Sequence, residues 1–263
     1  MVRIAGILNI TPDSFYDGGR WVRPERAVAR GVAMRDAGAT WIDVGGESTR
    51  PGAGPVPAQA QLDRVLPVVE GLVAEGCRVS IDTTLPEVAA AALDAGAEVV
   101  NDINGLRAPG MIEAVAAAGA GVVVMHMRGT PASMQRDTAY DDVVTEVRGF
   151  LAERVAAARA AGIQRIWADP GIGFGKSVDG NLALMRRLGE LRTLGVPLYV
   201  GASRKSFIGK LDGDALAEDR LGGSIAAAVL AARAGADVLR VHDVAATRQA
   251  LTIAAAIAGE RAA

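Results

Sequence analysis

The sequence is poor in aromatic residues and contains only one cysteine. Phe, Trp and Tyr make up 4% of the 263 residues, whereas half of all residues are hydrophobic, so any large core has to be aliphatic. Cys77 has no second cysteine with which to pair, which excludes an internal disulfide and fits a reducing compartment. We therefore expect a cytoplasmic protein whose fold depends on aliphatic packing.

A basic surplus and a long hydrophobic run are also missing. The formal net charge is -2, whereas nucleic-acid-binding domains normally carry excess positive charge that attracts phosphates. No segment approaches the roughly 20 consecutive apolar residues of a membrane span. The first apolar run, residues 4–10, is short and interrupted by Asn9, unlike the apolar region of a signal peptide. We therefore expect that neither a nucleic acid nor a membrane is a partner of this protein.

Eight short apolar runs recur along the chain, and almost every one leads to a polar or ionisable residue. They cover residues 4–10, 41–44, 79–81, 99–100, 122–125, 166–168, 198–200 and 238–241. Ala-rich segments with helical spacing lie between them, including residues 24–37, 86–95, 111–118 and 151–161. Apolar strands that alternate with helices favour a parallel sheet buried on both faces. We predict a single-domain (β/α)8 TIM barrel over residues 1–263, in which all polar strand ends meet on one face.

An open, doubly wound sheet is the competing architecture. Its dinucleotide-binding version has a glycine-rich turn after the first strand, but residues 9–13 read NITPD and contain no glycine. The barrel is therefore favoured. The long loops at residues 11–20, 47–57 and 126–140 follow the first, second and fifth strands, which predicts that they form lids or walls of a site.

Arg240 and His242 lie two residues apart at the end of the eighth run, so both side chains point to the same face. Barrels of this kind often bind phosphate near the seventh and eighth strands. An arginine within an apolar strand needs an anionic partner; an Arg–Asp surface pair is the less favoured alternative. For His126, the other histidine, we favour a structural hydrogen-bonding role.

Two loops near the later strands have a composition suited to ligands. The segment GASRKS at residues 201–206 predicts an anion site at a helix start, or alternatively a solvated helix start. The segment DPGIGFGKS at residues 169–177 is not a nucleotide P-loop, because Pro170 occupies a position where that motif needs glycine. It leaves a carboxylate beside a glycine loop that lets Phe174 approach a ligand, with a structural turn as the alternative.

A polar cluster is predicted at the mouth of the barrel. It consists of Asp82, Asn101, Asp169 and Lys205. A carboxylate can accept two parallel N–H bonds from an amidine-like edge such as that of guanine or a pterin, and a lysine complements a carbonyl on the same ring. No Cys/His pairs suggest zinc, and no Ser-His-Asp set is specified locally. A hard oxygen donor such as Asn9, with a phosphate-bearing ligand, suits Mg2+.

Eight segments of the chain carry motifs of one enzyme family. They read GILNITPDSFYDGG at residues 6–19, DVGGESTRPGA at 43–53, SIDT at 80–83, NDI at 101–103, HMRG at 126–129 with MQ at 134–135, DPGIGFGK at 169–176, GASRKSFIG at 201–209 and RVHDV at 240–244. Together these segments closely resemble dihydropteroate synthases, and the match runs almost from end to end.

The resemblance implies a pterin-binding barrel that acts in folate biosynthesis and is a target of sulfonamides. Such an enzyme is a transferase that condenses 6-hydroxymethyl-7,8-dihydropterin diphosphate with p-aminobenzoate, giving 7,8-dihydropteroate and diphosphate, with Mg2+ as cofactor and a homodimer as assembly. The residues implied for the pterin are Asp82, Asn101, Asp169, Lys205 and Arg240. Those implied for diphosphate are Asn9, Arg240 and His242, with Asn9 also binding the metal. Those implied for p-aminobenzoate are Phe15, Thr49, Arg50, Pro51, Phe174 and Ser206.

The resemblance also implies catalytic residues, namely Asp17, Lys205, Arg240 and His242. An arylamine is a poor nucleophile, so the rate has to come from the departure of diphosphate. Arg240 and His242, together with Mg2+, are expected to stabilise the negative charge that develops on this leaving group. Asp17 is expected to stabilise positive charge on the pterin methylene, with a lid role as the alternative.

Three other functions are weighed against this one. An altered relative that binds pterin without p-aminobenzoate is disfavoured because the implied p-aminobenzoate residues and the SRKS run at residues 203–206 are present. A pterin-binding methyltransferase barrel would not need the diphosphate and benzoate motifs. A purely structural or interaction protein is disfavoured because so many polar strand ends are costly to bury without a ligand.

Overall fold

The computed structural model describes residues 2–10, 24–48 and 54–259. The strands are β1 (Arg3–Asn9), β2 (Trp41–Gly45), β3 (Val79–Asp82), β4 (Val99–Asp102), β5 (Gly121–Met125), β6 (Ile166–Asp169), β7 (Tyr199–Val200) and β8 (Val238–Val241). The helices are α1 (Pro24–Asp36), α2 (Ala58–Ala74), α3 (Pro86–Asp94), α4 (Met111–Ala117), α5 (Val143–Ala160), α6 (Val178–Arg186), α7 (Ser206–Leu211), α8 (Leu221–Arg233) and α9 (Val244–Ile257). Short 3-10 helices cover Leu188–Leu194 and Ala217–Asp219.

The strands form a closed parallel barrel. Neighbouring strands pair in the order β6-β5-β4-β3-β2-β1-β8-β7, and every pairing is parallel. A parallel bridge between Ala168 and Leu198 joins the two ends of this sheet. The predicted (β/α)8 barrel is thereby confirmed, with all eight apolar runs as its strands. Within the described ranges, no helix is long and apolar enough to cross a lipid bilayer.

Side chains that point into the barrel change from apolar to polar along the strands. An apolar layer near the N-terminal ends consists of Ala5, Trp41, Val99, Val123, Trp167, Tyr199 and Val238. Residues two apart in a strand share a face, and two residues after Trp41, Val99, Trp167 and Val238 the chain has Asp43, Asn101, Asp169 and Arg240. The C-terminal mouth of the barrel is therefore polar, and its floor is aromatic and aliphatic.

The helices cover the outside of the barrel largely where the sequence predicts them. Helices α1, α3 and α4 match the predicted segments to within one residue at each end. The predicted helix at residues 151–161 instead begins eight residues earlier, at Val143. Asp142 starts it, because its Oδ1 accepts a hydrogen bond from Val144 N at 3.0 Å. Polar residues in this first turn hide the helical period there, although Val143, Val144 and Val147 are buried.

Candidate active site

Arg240 lies on the inward face of β8 and is held by two carboxylates from other strands. Its Nε donates to Asp43 Oδ2 and its Nη2 donates to Asp82 Oδ2, each at 2.5 Å. The prediction that this arginine needs an anionic partner is therefore confirmed. The alternative of a surface pair with Asp243 is wrong, because Asp243 instead accepts from Nε and Nη2 of Arg204.

Asp43 is a buried site residue that the pattern of strand ends does not predict. Its Oδ1 accepts from Ser80 Oγ at 2.5 Å, and its Oδ2 accepts from Asn101 Nδ2 at 3.1 Å in addition to Arg240. A signal was present in the sequence, because Asp43 lies two residues after Trp41 and so shares its inward face. A rule based on strand ends misses it, since it lies within an apolar run.

Three acceptor oxygens at the mouth make no hydrogen bond with any described residue, and we call them the mouth acceptors. They are Asp82 Oδ1, Asn101 Oδ1 and Asp169 Oδ2. The second polar atom of each group is occupied: those of Asp82 and Asn101 bind other strands, and Asp169 Oδ1 accepts from Gly171 N at 2.7 Å. Burial raises the pKa of Asp82 and raises that of Asp169 to about 6. The mouth thus offers acceptors to a ligand that brings N–H groups.

Lys205 brings a cationic group to this cluster. It is half-buried directly before α7, and its Nζ lies 3.8 Å from the centre of the Phe174 ring. Burial, together with nearby Arg240, lowers the pKa of Lys205 to about 7. Ser206 is the first residue of α7 and is exposed. The structure therefore brings Lys205 and Phe174 into contact, with Ser206 beside them at the rim.

Lys176 is buried inside the glycine loop at residues 170–176, and its hydrogen bonds stabilise that loop. Its Nζ donates to Gly171 O at 3.0 Å and to Phe174 O at 2.9 Å, and lies 3.0 Å from His126 Nδ1. Burial lowers the pKa of His126 to about 3, so the neutral ring can accept from the ammonium. Gly171 has a φ of 68°, and a Cβ there would lie 1.9 Å from His126 O, so only glycine fits. The structural role expected for His126 is confirmed.

His242 follows β8 and is paired with Ser203. Its Nδ1 lies 3.0 Å from Ser203 Oγ, which also accepts from His242 N at 3.3 Å. Because Ser203 Oγ accepts the backbone N–H, its own proton can go to Nδ1, which leaves the ring proton on Nε2. Burial lowers the pKa of His242 to about 3. In this tautomer, the neutral His242 ring has its Nε2–H to donate. Of residues 201–206, the buried Ser203 faces the site while Ser206 is solvated.

Asn9 ends β1 at the same mouth and is half-buried. A Cβ at position 45 would lie 3.4 Å from Asn9 Oδ1 and 3.5 Å from Asp82 Cβ, so Asn9 and Asp82 flank Gly45. Among the residues that the structure describes, no three His, Cys, Asp or Glu side chains form a metal-binding group. The donor set fits an ion that takes few protein ligands and keeps water and substrate oxygens, which is the usual coordination of Mg2+.

Comparison with known proteins gives the family. Residues 5–242 match the family described as "Pterin binding enzyme". The dihydropteroate synthase of Escherichia coli (strain K12) is 47% identical over 253 residues, which covers 95% of this chain and 89% of that relative. The chain belongs to the dihydropteroate synthase family. The family resemblance expected from the motifs is confirmed, as are the pterin-binding character and the transferase activity in folate biosynthesis.

Solved dihydropteroate synthases have the same fold. The Xanthomonas albilineans enzyme with 4-aminobenzoic acid superposes with a TM-score of 0.92 at 50% identity, covering 99% of this chain and 94% of that one. The Thermus thermophilus enzyme in complex with 6HMPPP gives 0.86 at 43% identity, covering 97% and 94%. The Yersinia pestis enzyme in a sulfonamide drug complex also gives a TM-score of 0.92. It is 44% identical, and the match covers 98% of this chain and 94% of that one.

The structure shows only some of the residues predicted for a dihydropteroate synthase site close together. Those on strand ends and on the loops after β6 and β7 lie around one mouth. Five predicted residues lie outside the described part of the chain: Phe15, Asp17, Thr49, Arg50 and Pro51. Phe174, predicted for p-aminobenzoate, is buried in an apolar cluster with Ile103, Met125, Met127 and Met134, while its ring face lies under the Lys205 ammonium.

Proposed function

We propose that the barrel mouth is where this dihydropteroate synthase condenses 6-hydroxymethyl-7,8-dihydropterin diphosphate with p-aminobenzoate to give 7,8-dihydropteroate and diphosphate. The observation that carries this assignment is the set of mouth acceptors on Asp82, Asn101 and Asp169 beside Lys205. A pterin has adjacent ring and exocyclic N–H donors next to a carbonyl, and so complements three acceptors and an ammonium. Related enzymes have been solved with 6HMPPP and with 7,8-dihydropteroate.

Arg240 is proposed to cover one face of the pterin. Asp43 and Asp82 bind two of its nitrogens and so fix the plane of the guanidinium. A planar cation of this kind stacks on aromatic rings. Lys205 would reach the pterin carbonyl, and Phe174 lies beneath its ammonium. The pterin is thereby oriented with its methylene carbon toward the strand ends of β1 and β8.

The reaction breaks the C–O bond from the pterin methylene to diphosphate and forms a C–N bond to the arylamine, which then loses a proton. Diphosphate leaves with additional negative charge, so donors that face it lower the barrier. His242 can supply its Nε2–H, because Ser203 occupies its Nδ1. Arg240 supplies a permanent positive charge from the neighbouring inward position of β8. Asp17 would stabilise positive charge on the methylene carbon.

Mg2+ is proposed to bind at Asn9 together with the diphosphate oxygens. The half-buried Asn9 amide, which has no hydrogen bond within the described ranges, supports this position. When bound, the ion would neutralise charge on the leaving group. The residues nearest to it would be those that flank Gly45, namely Asn9 and Asp82.

The p-aminobenzoate pocket is proposed to combine Phe174 and Ser206 with residues of the first and second loops. Arg50→Ala and Phe15→Leu should each raise the KM for p-aminobenzoate about tenfold. Neither should change the Kd for the pterin, because the pterin residues lie on strands and on the later loops. Steady-state kinetics and calorimetric titration measure the two quantities. An equal loss of both affinities would assign the two loops a different role.

Pterin binding is expected to weaken as the pH falls below about 6. Burial raises the pKa of Asp169 to about 6, so this carboxylate is an acceptor above that pH and becomes a protonated donor below it. Each pH unit below about 6 should then cost at least about tenfold in affinity, because the pKa of Asp82, the other carboxylate among the mouth acceptors, is raised as well. Calorimetry between pH 8 and pH 5 should use a pterin without diphosphate, because phosphates titrate near pH 6 themselves. A constant affinity over this range would contradict the prediction.

The enzyme is proposed to act as a homodimer in the cytoplasm. Leu230 on α8 and Ile253 and Ile257 on α9 are 62%, 55% and 83% exposed, and such an apolar surface is typical of one that a second subunit covers. Leu230→Asp should therefore halve the mass measured by light scattering after size-exclusion chromatography. Val73→Asp, which places the same charge on the exposed surface of α2, is the control and should leave the mass unchanged. A dimer that persists in Leu230→Asp would contradict this interface.

The proposed location in the cytoplasm is supported by Cys77, whose single thiol is buried and free.

The decisive test of the function is an assay for diphosphate release. Release should require both pterin diphosphate and p-aminobenzoate, and it should fall when Mg2+ is omitted. Diphosphate release that requires pterin diphosphate but not p-aminobenzoate would instead indicate a hydrolase or an altered relative. Binding of pterin without any release would favour a methyltransferase-like or non-catalytic barrel.

A further inference from the structure

Asp43 is fully buried and faces three donors from three other strands. Its side chain is 0% exposed. Ser80 on β3 donates its hydroxyl to Oδ1, while Asn101 on β4 and Arg240 on β8 both donate to Oδ2. Asp43 therefore lies behind Asn101 and Arg240, the two neighbours that are proposed to meet the pterin.

The chemistry of Asp43 fixes the orientation of the Asn101 amide. A carboxylate can only accept hydrogen bonds, so Asn101 has to turn its NH2 group toward Asp43 and its carbonyl oxygen away. Asn101 Oδ1 thereby joins the carboxylate oxygens of Asp82 and Asp169 as a mouth acceptor. An amide alone has no such preference, because it can donate and accept equally well. The common polarity of the three mouth acceptors depends on Asp43.

We propose that Asp43 is a positioning residue for the pterin seat, which consists of the mouth acceptors on Asp82, Asn101 and Asp169. Asp43 makes this seat selective for a ligand whose edge carries N–H donors. It locks the Asn101 amide as an acceptor and holds Arg240 beside Asp82. The selected ligand class is a bicyclic ring with an amino group and an N–H on the recognised edge. The disfavoured class is the same ring with a carbonyl in place of the amino group. This inference rests on the proposed function, since it places the pterin edge at these oxygens.

Asp43→Asn should release this lock. An amide at position 43 can donate as well as accept, so the Asn101 amide becomes free to rotate by 180° and to present its NH2 group. A carbonyl on the ligand edge is then penalised less, because a carbonyl placed at Asn101 finds a donor while Asp82 and Asp169 remain acceptors. The change in selectivity separates this role from general support of the fold, which would affect all ligands alike.

The experiment compares two probes, pterin and lumazine, which carry an amino group and a carbonyl respectively at the same ring position. Each is titrated calorimetrically into the wild-type chain, Asp43→Asn and Ser80→Ala. We expect the ratio of the lumazine Kd to the pterin Kd to fall about tenfold in Asp43→Asn. Ser80→Ala is the matched control, because it removes one hydrogen bond to Asp43 but keeps the carboxylate. Its ratio should stay within about twofold of the wild-type value.

The outcomes are distinguishable. An equal loss of affinity for both probes in Asp43→Asn, or an unchanged ratio, would overturn the proposal. A wild-type chain that binds neither probe would contradict the proposed function instead. If Asp43→Asn does not fold, the double variant with Arg240→Gln removes both members of the ion pair, and its ratio is compared with that of Arg240→Gln alone. The same fall of about tenfold is expected, and its absence would equally overturn the proposal.

Discussion

Asp169→Asn is expected to weaken pterin binding about 100-fold while the barrel stays folded. The new amide can keep the hydrogen bond from Gly171 N with its oxygen, because that bond needs only an acceptor. Its NH2 group then takes the place of Asp169 Oδ2 and faces the N–H edge of the pterin. Two N–H donors would then face each other in a buried position. The hydrogen bond that the pterin makes to Asp169 Oδ2 is lost, and neither donor has an acceptor.

Asp102→Asn is the matched control for this prediction. Asp102 is also a buried aspartate at a strand end, but its two oxygens accept from Asn104 N and Leu106 N, each at 2.7 Å. Its replacement should lower the Tm and leave the pterin Kd within about threefold of the wild-type value. Calorimetric titration with pterin diphosphate measures both variants. An unchanged affinity in Asp169→Asn would remove Asp169 from the pterin seat.

The sequence predicts the barrel and the strand-end part of the site because both depend on local patterns. Apolar runs two to seven residues long alternate with helical segments, and a parallel barrel places all of their C-terminal ends on one face. Asp82, Asn101 and Asp169 follow from this rule directly. The alternation of side chains along β8 also places Arg240 and His242 on one face. These inferences need no knowledge of which strands are neighbours across the barrel.

The internal partners of the site could not be predicted in the same way. Arg240 and Asp43 are 197 positions apart in the chain, and their contact exists only because β8 pairs with β1 and β1 pairs with β2. The contact of Lys205 with Phe174 likewise depends on how two loops turn after β6 and β7. Lys176 shows the converse case, since its Gly-Lys-Ser context resembles a phosphate loop, yet its ammonium binds carbonyl groups of its own loop.

A cluster of buried charges has to be balanced by internal bonds until a ligand arrives. Asp43 and Asp82 are balanced by Arg240, whereas Asp169 has Gly171 N and the more distant charge of Lys205. Burial raises the pKa of both Asp82 and Asp169, because the nearby cations do not make up for the lost hydration, and Lys205, which Arg240 also repels, has a pKa lowered to about 7. Binding of a pterin would supply the missing donors and the missing acceptor together. The site is therefore organised around Arg240.

Arg240→Gln should consequently have the largest combined effect on activity and stability. Catalysis should fall about 1000-fold, because the charge that faces the pterin and diphosphate is lost. The free energy of unfolding should fall by about 3–5 kcal/mol at pH 8, because Asp43 and Asp82 are left buried without their cation. Without the guanidinium, the pKa of Asp82 should rise further, since burial already raises it and Arg240 is the main group that lowers it.

The pH dependence of that loss gives Arg240→Gln a specific signature. A carboxyl group whose pKa is raised in the folded state binds more protons there than in the unfolded chain, so its destabilising effect is present at high pH and fades as the pH falls. The difference in Tm between wild type and Arg240→Gln should therefore be smaller at pH 6 than at pH 8. Arg204→Gln is the control: it breaks the pair with the partly exposed Asp243 and should cost less than about 1 kcal/mol. A Tm difference for Arg240→Gln that is the same at both pH values would show that the buried carboxylates do not depend on this arginine.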